Sequence, residues 1–97
     1  MIAGPALSAR AAADLSEIWD YSLLQWGEIQ TEVYIRALWQ AIELVTATPK
    51  RGRACDEIRL GYFKFQVGTH MLFYRLTAAG VQVVRILHGR MDFESHL

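Results

Sequence analysis

Between Ile58 and Leu87 three β-type runs follow one another with only short, glycine-bearing interruptions, and no other stretch restricts the fold of this chain as much. The runs extend from Ile58 to Val67, from His70 to Leu76 and from Val81 to Leu87. Gly68-Thr69 has the length of a tight hairpin turn, and glycine is free to take the positive φ such turns need. Thr77-Ala78-Ala79-Gly80 has the length of a slightly longer hairpin loop. The spacing predicts a three-stranded antiparallel meander. Its exit, RILHGRMD (85–92), crowds two arginines, a histidine and an aspartate together, which places any function on or beside this sheet.

The residues before the meander read as helical. Ile2 to Leu7 is short and apolar but carries Gly4-Pro5, and proline lacks a ladder donor, so a strand there belongs at a sheet edge. Ser8 offers a side-chain oxygen to the first free amides of a helix, and Ala11, Ala12 and Ala13 are strong helix formers. Leu15, Ile18, Trp19 and Trp26 form an apolar stripe that ends at Gly27, a C′ position. Gln30, Val33, Tyr34, Ala37, Leu38, Ala41, Ile42 and Val45 then keep three-and-four spacing for more than four turns. Ile35 and Trp39 lie off that stripe, so the second helix offers apolar surface on more than one side. Pro49 disfavours helical geometry at Thr48 and ends it there. A polar, basic loop from Lys50 to Glu57 leads into the meander.

The order is strand, helical hairpin, three strands: an α+β fold in a single domain, residues 1–97, with one sheet face on the helices. Both faces of the run from Ile58 to Val67 carry aromatics, so the sequence leaves open which one is buried. A hydrophobic content of 53% excludes disorder, and no apolar run is long enough for a bilayer. The N-terminus lacks a basic region followed by an apolar one, so the expected location is cytoplasmic. The lone Cys55 agrees with a reducing compartment.

A formal net charge of zero hides an asymmetry. Residues 1–48 carry two arginines against six acidic residues, and residues 49–97 carry eight basic against four acidic ones. The second half is thus suited to an anionic partner, nucleic acid or acidic polypeptide, unless the charges are simply solvated.

No GxxxxGK[ST], GxGxxG, HExxH, CxxC or GxSxG is present, and His70, His88 and His96 fall on separate elements, so neither a metal nor a cofactor is expected. Arg59, Lys64, Arg75, Arg85 and Arg90, with His70 and His88, form the set with chemical potential. Guanidinium groups grip phosphates bidentately and imidazole moves a proton near neutral pH, so they could position and cleave RNA through its own 2′-hydroxyl. Strand alternation divides the set between two faces. The competing reading is that Arg75 and Arg85 pair with acidic groups of the helices or of a bound protein. Of the charges at the strand exit, Asp92 is the expected internal acceptor for Arg90.

The ordered strings LSARAAADLSEIWDY (7–21), QWGEIQTEVY (25–34), TPKRGR (48–53), DEIRLGYFKFQVGTHMLFYR (56–75) and VVRILHGRMD (83–92) together resemble the ParE toxins of the RelE/ParE superfamily. The resemblance implies a helical hairpin packed on an antiparallel sheet. It implies the toxin half of a bacterial type II toxin–antitoxin pair, related to plasmid stabilisation systems and neutralised by a ParD-like antitoxin in a hetero-oligomeric complex. ParE-type toxins inhibit DNA gyrase, whereas RelE-type relatives cleave messenger RNA on the ribosome.

RelE-like nucleases use strand cations and, commonly, a C-terminal tyrosine or histidine as acid or base. Here no tyrosine follows Tyr74, Phe93 lacks the hydroxyl, and only His88 or His96 could replace it. A nuclease would rest on Arg75, Arg85 and His88. The small basic load favours the non-enzymatic gyrase-inhibiting branch, with the endoribonuclease and a degenerate antitoxin-binding member as alternatives. Partner contacts are expected from Arg59, Lys64, Arg75, Arg85, His88 and Arg90 on the sheet side and from Ile35 and Trp39 on the helices.

Overall fold

The computed structural model describes residues 5–97. Strand β1 (Ala6–Leu7) leads into helix α1 (Ala9–Trp26), whose first turn is capped by Ser8: its Oγ accepts from the Ala11 amide at 3.0 Å. Gly27, at φ 82, closes α1 through its amide and opens α2 (Glu28–Ala47), so one residue makes the hairpin. A 3₁₀ turn at Pro49–Arg51 follows, then β2 (Arg53–Ala54), β3 (Tyr62–Val67), β4 (His70–Thr77), β5 (Gly80–His88) and a short helix α3 (Phe93–His96).

The strands form one five-stranded sheet in the order β1-β5-β4-β3-β2, with β3, β4 and β5 the antiparallel meander and β1 parallel to β5. Two expectations need correcting. The first meander strand starts at Tyr62, because Ile58 to Gly61 form a turn in which Asp56 Oδ1 accepts from the Gly61 amide at 2.8 Å and Gly61 takes φ 81. The basic loop contains β2, which adds an edge strand through Arg53 opposite Lys64 and Ala54 opposite Phe63. The edge strand expected within Ile2–Leu7 is present as Ala6–Leu7, residues 2–4 of that run lying outside the described ones.

The helices cover one sheet face. Leu38, Ile42 and Val45 of α2 and Ala11 and Ile18 of α1 meet Leu72, Tyr74, Val81, Val83 and Ile86, with Phe63, Phe65 and Val67 packed alongside. Each large aliphatic side chain fully buried here stabilises the fold by about 1.5–3 kcal/mol. Trp26 and Val33, read as members of the apolar stripes, are instead exposed. The C-terminal segment covers part of the opposite face. Phe73, Leu87 and Cys55 are buried there beneath Phe93 and Leu97, the Phe73 and Phe93 rings meeting edge-on at 4.8 Å. Burial, then the nearby Glu57, pushes the Cys55 thiol up, so this cysteine is a core side chain in its un-ionised form.

A bulge sets the parity of β5. Phe73 pairs with Arg85 but Tyr74 with Val83, leaving Val84 as the extra residue. Val83 and Ile86 both therefore face the helices. Among the described residues no strand covers the edge of β5 beyond Leu7, and α1 takes over: Ser8 donates its amide to Val83 O and its hydroxyl to Val84 O.

Candidate functional site

At the end of the sheet, beside the second half of α1, a cleft of about 320 Å³ opens between helix and meander. Its walls include Asp14, Tyr21, Trp26, His70, Arg85 and His88. Each wall follows from the local folding just described. Cross-strand pairing puts His70 directly opposite His88, and the short turn at Gly68-Thr69 brings this pair to the sheet end. Gly68 is required twice: its φ is 56, and a Cβ on it would lie 2.7 Å from the Tyr34 ring.

Tyr34, His70 and His88 form a connected row. The Tyr34 hydroxyl lies 2.6 Å from His70 Nδ1, donates to Val67 O at 3.2 Å and accepts from the Thr69 amide at 3.3 Å. The two imidazoles meet edge to face with centroids 5.4 Å apart. Burial, reinforced by His88, lowers the His70 pKa against a smaller opposing effect from Asp14, so His70 is neutral at pH 7. His88 Nδ1 accepts from the Arg90 amide at 3.1 Å, which leaves Nε2 to carry the proton of the neutral ring. The row can relay a proton in principle, but a phosphoryl-transfer site also needs a free cation beside it.

Arg85 is not free. Its Nε and Nη2 donate to Asp14 Oδ2 and Oδ1 at 2.8 and 2.9 Å, and its Nη1 donates to His96 O at 2.8 Å. Both side chains are largely buried, 14% and 10% exposed, and this is the ion pair found among the described residues. The Asp14 hydrogen bonds raise the Arg85 pKa further, outweighing burial, so its charge is permanent. Asp14 also accepts from the Ile86 amide at 2.9 Å.

The other candidates go to different places. Arg75 is exposed on the face away from the helices, where its Nε donates to Gln82 Oε1 at 3.0 Å. Five residues along β4 separate it from His70, roughly 16 Å at strand rise. Arg59 lies over the Tyr62 ring and donates from Nη1 to Leu97 O at 2.7 Å, so with Arg85 it fastens the C-terminal segment. Lys64 lines a shallow polar recess with Arg51, Arg53 and Gln66 at the β2 edge. Arg90 is exposed. The expected Arg90–Asp92 pair is replaced by an Asp92 Oδ2 that accepts from the Ser95 hydroxyl at 2.6 Å. The set Arg75, Arg85 and His88 does not converge.

Ile35 and Trp39 line a second, open apolar groove of about 330 Å³ on the hairpin, together with Leu7, Ala12, Leu15 and Trp19. Asp14 and Tyr34 are the site residues that pattern reading missed. Asp14 did carry a signal, a carboxylate three residues after Ala11 and four before Ile18 on the buried helix face.

Fold and site thus define a small α+β protein in which a helical hairpin packs on one face of a five-stranded sheet. The family model for the ParE toxin of the type II toxin–antitoxin system, parDE, matches residues 6–93. The chain is 52% identical over 92 residues to Toxin ParE1 of Mycobacterium tuberculosis (strain CDC 1551 / Oshkosh), 94% of each chain being covered. It is 40% identical over 91 residues to Toxin ParE1 of Caulobacter vibrioides, again over 94% of each. A solved structure described as a chromosomal ParDE TA system from P. aeruginosa has the same fold, with a TM-score of 0.76 at 16% identity over 90% of this chain and 96% of that one. The chain belongs to the ParE toxin family of type II toxin–antitoxin systems.

Proposed function

We propose that this toxin is held inactive by an acidic, ParD-like antitoxin and that, once released, it acts on DNA gyrase without cutting RNA. The observation that carries the second part is that neither strand arginine expected of a nuclease, Arg75 or Arg85, is available to the imidazoles. Arg85 is committed to Asp14, and Arg75 sits on the other face about five strand residues from His70. Neither of these two guanidiniums is placed to hold the phosphate of an RNA bound at the histidine pair.

The antitoxin part is supported by charge and shape. The groove of Ile35 and Trp39 suits apolar anchors of an amphipathic segment, and Arg53, Lys64 and Arg75, in no ion pair among the described residues, suit carboxylates further along it. The experiment is induction of the toxin alone in a bacterial host with RNA-end mapping and a DNA-damage reporter run in parallel. The expected result is gyrase-dependent DNA breakage with intact messages. Cuts in messenger RNA that vanish in His88→Ala would overturn it in favour of an endoribonuclease.

A further inference from the structure

The end of the helical hairpin carries an exposed apolar surface that adjoins the cleft at Tyr21 and Trp26 and extends beyond it to Leu24, Ile29 and Val33. Leu24 and Ile29 are 85% and 82% exposed, and Tyr21, Trp26 and Val33 are exposed beside them. All five lie within six residues of Gly27, so the turn gathers them at one end of the molecule. Contiguous apolar exposure of this kind on a small protein marks a contact surface. Its rim has one sign: Glu17, Asp20, Glu28 and Glu32 are all exposed, none is in an ion pair among the described residues, and no lysine or arginine occurs between Arg10 and Arg36.

We infer that this hairpin end is a docking surface for a protein partner presenting an apolar centre with a lysine- and arginine-rich rim, and that it stays open when the antitoxin is bound. The inference rests on the toxin reading above and assigns the surface to the toxin's target. The rim decides among the possible occupants. An acidic antitoxin segment would bring carboxylates against four carboxylates, and like charges facing each other across an interface cost several kcal/mol. A second copy of the chain packed symmetrically on the same surface would oppose its own rim in the same way. A cationic partner gains both faster encounter and the burial of Leu24 and Ile29.

The test uses the full chain with its antitoxin in three forms: wild type, Leu24→Asp/Ile29→Asp, and Asp20→Lys/Glu32→Lys. Growth arrest on induction, antitoxin affinity and circular dichroism melts are measured for each. Both variants are expected to weaken toxicity by about thirtyfold or more, the scale of losing a buried anchor, while antitoxin affinity and melting stay near wild type. If the aspartate variant misfolds, the charge-reversed one decides, since it removes no apolar contact. Toxicity retained by a folded variant overturns the assignment, and so does a parallel loss of antitoxin affinity, which would make this end part of the antitoxin interface. A harmless wild-type chain overturns the toxin reading itself, and with it any target surface.

Discussion

Asp14 and Arg85, seventy-one residues apart, are joined by two charge-assisted hydrogen bonds, and the same carboxylate caps the Ile86 amide on the open edge of β5. One side chain of α1 thereby supplies the edge contact that a neighbouring strand would have made. Through Arg85 Nη1 and His96 O the link continues to the C-terminal segment, so helix, sheet and tail share one polar joint.

Breaking that joint from either side leaves a buried charge without its partner. Asp14→Ala is expected to cost about 3–5 kcal/mol, a large part of the 5–15 kcal/mol that stabilises a typical domain. Arg85→Ala strands the carboxylate but leaves the Ile86 amide satisfied, so it should be the milder change. Urea unfolding orders the two. Loss of toxicity in Arg85→Ala that tracks its loss of stability would assign the arginine a structural role.

Tyr74 tethers the loop after α2 to the sheet. Its hydroxyl donates to Pro49 O at 2.6 Å and accepts from the Gly52 amide at 2.9 Å, while its ring stacks on Phe63. Tyr74→Phe keeps the stack and removes both bonds, so it should cost about 1–3 kcal/mol with little change in fold. Thermal melts and amide exchange at Gly52 would show it. An unchanged exchange rate at Gly52 would contradict the tether.

His70 predicts a pH dependence of definite sign. Its folded pKa lies below the ordinary value of 6.5 because burial, and then His88, disfavours the charged ring. The unfolded chain therefore binds the proton first, so stability contributed by the neutral ring is full above about pH 7, falls as pH drops below 6.5, and stops falling below the depressed folded pKa. Tyr34, Thr69 and His88 face the ring, with Asp14 opposing the shift from α1. His70→Gln should flatten the melting temperature between about pH 5 and 7 relative to wild type.

Much of the architecture was legible because it is written in local chemistry. The Ser8 cap, the Gly27 turn and Pro49 bound the two helices, and Gly68 and Gly80 set the meander turns. The two-residue strands β1 and β2 were not legible in full, since a period of two needs more than two residues to show. Ile58 to Gly61 looked like strand from its Ile58 and Leu60 alternation, but the Asp56 side chain bends it into a turn. The site was hardest because its defining pair is remote in sequence and depends on the Val84 bulge. Nearness in sequence suggested Arg90–Asp92, whereas Asp92 turns to Ser95 and the arginine that is paired internally is Arg85.

The last prediction separates anchors from steering charges on the antitoxin side. Trp39 is 37% exposed at the rim of the apolar groove and Ile35 is half-buried beside it, so both have surface left to bury against a partner without being removed from the fold. Truncating a large aromatic anchor in such a groove typically costs 2 kcal/mol or more, about thirtyfold in Kd, and acts mainly on dissociation. Arg75 is exposed and Lys64 partly so, and neither has a carboxylate partner among the described residues, so Lys64→Ala and Arg75→Ala should instead slow association and reduce its salt dependence. Surface plasmon resonance with purified antitoxin at two salt concentrations reads both effects. Equal dissociation rates for wild type and Trp39→Ala would remove the groove from the interface, and salt-insensitive association in the wild type would remove the cations.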